Sequence, residues 1–132
     1  MNIPHRVRIR PYEPDHVLRQ LYERATVFAF LSEYEGFGLP PLEALATGVP
    51  VVVADTPVAR EVCGAAARYA ASGNLESIAR HLEALLYDPL ARREVLDHAP
   101  EVLARYSWDR AAREILNVLE EAATTRITVP YQ

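Results

Sequence analysis

Two glutamates, Glu35 and Glu43, flank the run Gly36-Phe37-Gly38-Leu39-Pro40-Pro41-Leu42. The two glycines let the backbone come close to a ligand and take up positive φ. Pro40-Pro41 opens a helix, because proline fits the first turn, where N–H groups have no intrahelical partner. That helix turns its unpaired N–H groups and positive dipole end back onto the glycine loop, which suits a phosphate. A carboxylate beside a diphosphate is electrostatically awkward unless it has another task. Accepting hydrogen bonds from vicinal hydroxyls is such a task, and one carboxylate can take two at once. The pattern therefore suggests phosphates on backbone amides, with two carboxylates holding sugars.

Plainer readings exist for each residue. Glu43, expected in about the first turn, could sit there for the dipole alone, worth a few tenths of a kcal/mol. A reciprocal capping box is excluded, because the position three before Glu43 is Pro40. Glu35 could be a solvated loop residue, and Gly36 and Gly38 plain turn residues. Spacing alone leaves both sets of readings standing.

The elements that must position this segment follow from periodicity. Val7-Arg8-Ile9 alternates as a short strand, and Pro11 and Pro14 bracket a turn. From Asp15 to Ala25, Val17, Leu18, Leu21, Tyr22 and Ala25 have helical spacing. Val27–Leu31 and Val49–Ala54 are almost wholly apolar, the signature of strands buried on both faces of a parallel sheet. Between them a loop over Ser32–Leu39 leads into a helix over Leu42–Thr47 that stops at Gly48. Ala59–Cys63 reads as a short helix and Arg68–Ala70 as a last short strand. Leu75–Leu86 carries one helical stripe. Asp88-Pro89 then supplies an N-cap and first-turn pair for a helix to Tyr106, which Pro100 should kink or split. Ser107 starts a final helix with Trp108, Ala111, Ala112, Ile115, Leu116 and Leu119 expected to face inward. Thr124–Gln132 reads as a tail. The sum is an α/β fold, a Rossmann-like doubly wound parallel sheet of about four strands with extra C-terminal helices. Ligands in such folds bind outside the carboxyl ends of the strands, here at Ser32–Leu39 and Asp55–Pro57.

Composition narrows the chemistry. The chain has 132 residues and 14 cationic residues, all of them Arg. Without Lys there is no P-loop, no Schiff-base PLP chemistry and no protein-kinase core. A net charge of −4 gives no footprint for nucleic acid. The single Cys63 forms no internal disulfide and points to a reducing, cytoplasmic setting. The four His are scattered, without metal-ligand spacing. No apolar run approaches the ~18 residues of a membrane span.

Residues 32–54 resemble the signature of the family-4, group 1 glycosyltransferases of the GT-B fold. That signature pairs two Glu, with seven residues between them, around a Gly-Phe-Gly-Leu-Pro stretch. Here it is Glu35-Gly36-Phe37-Gly38-Leu39-Pro40, then Leu42-Glu43-Ala44 and Gly48-Val49-Pro50-Val51-Val52. Leu18–Ala25, Glu61–Gly64 and Tyr106-Ser107-Trp108 extend the likeness over residues 5–120. The resemblance implies a retaining transferase that uses a nucleotide-sugar donor, with no cofactor and usually no metal. Glu35 would bind donor-sugar hydroxyls beside the reacting carbon, amides at Gly36, Phe37, Gly38 and Leu39 would meet the sugar and distal phosphate, and Glu43 would hold the ribose. A nucleophilic Glu35 is the other chemistry a loop carboxylate offers; the resemblance favours orientation of the donor. The acceptor is unspecified: a glycan, a lipid or a small molecule.

Leu31 stands where the family often has Pro, and Ala65 where it often has Asp. A larger departure is that the N-terminal acceptor domain and the start of the donor domain, with its basic diphosphate clamp, are not in this chain. Residues 1–123 then form a partial nucleotide-sugar-binding domain, inactive alone, of a cytoplasmic parent that can be peripheral to a membrane. In a 3-2-1-4-5-6 sheet, Val7–Ile9 would be the third strand and Val27–Leu31 the fourth. Without the strands between them, the N-terminal strand should shift inward, detach, or swap into an oligomer. The competing functional classes are a free-standing, non-catalytic nucleotide-binding or interaction module and, more distantly, a sugar phosphorylase or epimerase. Tyr12, Arg60 and Arg68 read as surface residues rather than ligands of base or phosphate.

Overall fold

A computed structural model of the chain describes residues 6–124. Three parallel strands, β1 (Phe28–Phe30), β2 (Val51–Ala54) and β3 (Arg68–Ala70), form one sheet in that order. The helices are α1 (Asp15–Arg24), α2 (Leu39–Ala46), α3 (Pro57–Cys63), α4 (Leu75–Tyr87), α5 (Pro89–Ala104) and α6 (Trp108–Thr124). Strand and helix alternate from α1 to α4, as the partial Rossmann-like reading requires.

Central β2 pairs Val51 with Phe28 and Val53 with Phe30 on one side, and Val52 with Arg68 and Ala54 with Ala70 on the other. All four of its residues are buried, so both faces are covered. That is why its sequence has no polar alternation. Helix α2 packs on β1 and β2, α4 on β2 and β3, and α5 bridges α2 and α4. Capping marks the boundaries. Thr56 accepts from the Ala59 amide, Asn74 from Ser77 and Asp88 from Leu90, each satisfying a donor that helix geometry leaves unpaired.

Four expectations need correction. The strand at Val7–Ile9 does not form: Ile9 is 94% exposed, and residues 7–14 carry no regular structure before α1. An alternating triplet is a short and weak strand signal, and Pro11 and Pro14 lead the chain straight into α1 rather than along the edge of the sheet. β1 is therefore an edge of the described sheet, and the segment is not shifted inward against it. Pro100 does not split its helix. It faces solvent, while Val95, Ala99 and Val102 stay buried and hold the register past the one lost hydrogen bond. The α6 stripe does not face inward: none of its residues is buried, and Trp108 is 85% exposed. Thr124 closes α6 rather than opening a tail; the remainder of the expected tail lies outside the described residues, as do residues 1–5.

Candidate functional site

In a parallel sheet the carboxyl ends of all strands share one rim, so the loop after β1 and the turn after β2 open side by side. The β1–α2 loop ends at Gly38, which caps α2 with φ 87° and ψ 59°. That is left-handed backbone, which a Cβ disfavours. Gly36, by contrast, does not have positive φ, and a Cβ there would meet nothing within 4 Å. Its glycine is therefore not demanded by the loop's own conformation. Helix α2 begins at Leu39, earlier than expected, and this places Pro40 and Pro41 in its first turn. Those prolines have no N–H to offer. The donors at this end are the amides of Gly36, Phe37, Gly38 and Leu39. Among the described residues no hydrogen bond takes them up.

Glu35 lies exposed on this loop. It borders a shallow hollow formed with Ser32, Gly38, Pro41, Ala54 and Thr56, roofed on one side by α3. The hollow holds about 20 Å³, room for about one water. A ligand larger than a water would thus lie over the loop rather than inside an enclosed pocket. The Phe37 ring rests edge-on against Tyr106, with centroids 5.3 Å apart at 88°. The Tyr106 hydroxyl in turn donates to the Val62 carbonyl at 3.1 Å. The end of α5 is thereby tied both to the loop and to α3.

Glu43 is the fifth residue of α2, a turn deeper than expected. A purely dipolar role at the helix start loses its basis, because that effect falls off within the first turn. Its carboxylate Oε2 accepts a hydrogen bond from the Tyr22 hydroxyl at 3.1 Å. Burial, and then this bond, push the Tyr22 phenol up to about 12. Glu43 opens on a groove between α1 and α2, beside Asp15, Leu18 and Arg19. The structure therefore brings the loop, the α2 start and the turn after β2 together, but the two glutamates do not share one hollow. Pro41 faces the first and Glu43 the second.

Other candidates are engaged elsewhere. Arg60 forms a two-pronged ion pair with Asp55, at 2.5 and 2.8 Å, and lies 4.6 Å from the Tyr69 ring centre. Arg68 donates to Glu94 at 2.7 Å. Cys63 is buried, which pushes its thiol up to about 11 and away from nucleophilic use. Tyr12 is exposed. Among the described residues, no three His, Cys, Asp or Glu side chains group as metal ligands, and no helix is long and apolar enough to cross a membrane. Sequence reasoning missed Tyr22 and Tyr106 as supports of the site. The available signal was general: a tyrosine placed among core-facing residues brings a hydroxyl that needs a partner.

The family model for glycosyl transferases group 1 matches residues 1–102. The chain belongs to this family. Among its relatives, the O-antigen chain mannosyltransferase B of Escherichia coli is 34% identical over 111 residues, covering 84% of this chain and 29% of the relative. The D-inositol 3-phosphate glycosyltransferase of Corynebacterium urealyticum is 34% identical over 132 residues, covering 94% and 30%. The O-antigen chain mannosyltransferase RfbU of Salmonella typhimurium is 31% identical over 105 residues, covering 80% and 29%. The chain thus spans under a third of the length of these curated relatives. The residues matched by the family model take in the glycine loop, α2 and both glutamates, while Tyr106 and α6 lie beyond them.

Proposed function

We propose that this chain is the donor-binding part of a retaining glycosyltransferase. It takes a hexose from a nucleoside-diphosphate sugar and delivers it to an acceptor held by parts of the protein outside residues 1–132. One observation carries this: the free amides of Gly36–Leu39 sit at the carboxyl rim of the strands, on the loop that carries the exposed Glu35 and leads into the helix that carries the exposed Glu43. The main catalytic demand is the negative charge that grows on the departing diphosphate. Fixed amides aimed at that charge need no reorganisation as it develops. In this reading Glu35 accepts hydroxyls of the transferred sugar and orients it, Phe37 sets the loop against Tyr106, and Glu43 accepts the ribose hydroxyls. No metal or other cofactor takes part. By itself the chain binds donor without turning it over.

The test is a donor screen on the complete enzyme that carries this chain, together with Glu35→Ala and Glu43→Ala. Glu35→Ala should lower kcat by about 100-fold or more, as loss of a transition-state contact does. Glu43→Ala should mainly raise the donor KM. Negligible effects of both would overturn the assignment.

A further inference from the structure

The Glu43 carboxylate is exposed on a helix, and a glutamate so placed is free to rotate. Fixing such a side chain on binding costs rotamer entropy. The fold offers a way to meet this cost before any ligand arrives. Tyr22 is buried at 7% exposure on α1. Its ring packs edge-on against Phe28 of β1, with centroids 5.3 Å apart at 71°. Tyr22 lines the groove between α1 and α2, where its hydroxyl donates to Glu43 Oε2 at 3.1 Å. Arg19, the cation lining the same groove, donates through Nε to Glu23 at 2.9 Å and forms no ion pair with Glu43. A carboxylate has about four acceptor positions. The tyrosine takes one on Oε2 and leaves about three, two on Oε1 and one on Oε2, enough for the two hydroxyls of a ribose.

We propose that Tyr22 is a positioning residue: its hydroxyl holds the Glu43 carboxylate in the orientation that accepts both hydroxyls of the donor's ribose. The inference rests on the proposed ribose role of Glu43. A phenol that donates to a carboxylate across a buried ring is preorganisation of the kind that raises affinity without a direct ligand contact.

The experiment is calorimetric titration of the 132-residue chain with UDP, GDP and ADP, each beside its 2′,3′-dideoxy counterpart, for the wild type, Tyr22→Phe, Glu43→Gln and the double variant. The wild type should prefer the ribo form by about tenfold or more. Tyr22→Phe should weaken the ribo form by about three- to tenfold and leave the dideoxy form unchanged. Glu43→Gln should erase the preference, and the double variant should match it, because the hydroxyl acts only through the carboxylate. If Tyr22→Phe keeps the wild-type ratio, or weakens both forms equally, while Glu43→Gln erases the preference, the positioning role is overturned and the ribose role stands. If Glu43→Gln also keeps the preference, or no nucleotide binds, the ribose role fails and the positioning role falls with it.

Discussion

Helices α2 and α6 teach by contrast. Each has an apolar stripe in its sequence. The eight-residue α2 buries Pro41, Leu42, Ala44 and Leu45, while the seventeen-residue α6 buries nothing. The stripe of α2 lies on β1 and β2 and is crossed by α5. The stripe of α6, with Ile115, Leu116 and Leu119 each more than half exposed, meets no comparable surface among the described residues. An apolar face is a demand for a partner, and only packing shows whether the chain itself supplies one. The candidate site sits on the helix whose demand is met. Its residues are therefore held by a rigid support, which a binding constellation needs.

The contrast can be broken most directly by truncation. Leu45→Ala removes a side chain at 3% exposure and should cost about 2–5 kcal/mol. Leu116→Ala should stay within about 0.5 kcal/mol. Equal losses in urea unfolding would show that α6 is packed in solution and would dissolve the distinction. A finer comparison lies within the loop. Gly38→Ala forces a Cβ onto φ 87° and should cost about 1–3 kcal/mol. Gly36→Ala meets open space and should leave stability nearly unchanged, within about 0.5 kcal/mol. The smallest effect is alkaline. Burial raises Cys63 from 9.0 to about 11, and raises Tyr22 and Tyr69 from 10.0 to about 12. The unfolded chain loses these protons first, so the stability they contribute is complete below pH 9 and falls as pH climbs toward 12. Melting temperatures should be level from pH 7 to 8.5 and decline above pH 9. A rise over that range would reverse the assigned sign.

Much of this was legible in the residues. The Val51–Ala54 run announces a doubly buried strand, and Asp88-Pro89 announces a helix start that the structure caps as expected. The glutamate–glycine segment could be placed on a loop and helix because strand, glycine and proline signals are all local. What was not legible depends on neighbours. Val7–Ile9 has a strand's alternation but no partner, and α6 has a helix's stripe without a covering surface. The α2 start could not be fixed either, because Leu39 is helical only through Gly38 adopting left-handed backbone just before it. The bond between Tyr22 and Glu43 joins two helices through the packing of α1 beside α2, and no spacing rule reaches across that distance.

The central claim is that the Gly36–Leu39 amides and Glu43 form a nucleotide-sugar donor site. Amide NMR of the chain during titration with UDP, GDP and ADP tests it most directly. The account predicts that at least one of them shifts the resonances of Gly36, Phe37, Gly38, Leu39 and Glu43, while α6 resonances such as Leu116 and Leu119 stay in place. Shifts confined to α6, or none at the loop with any of the three, would contradict it.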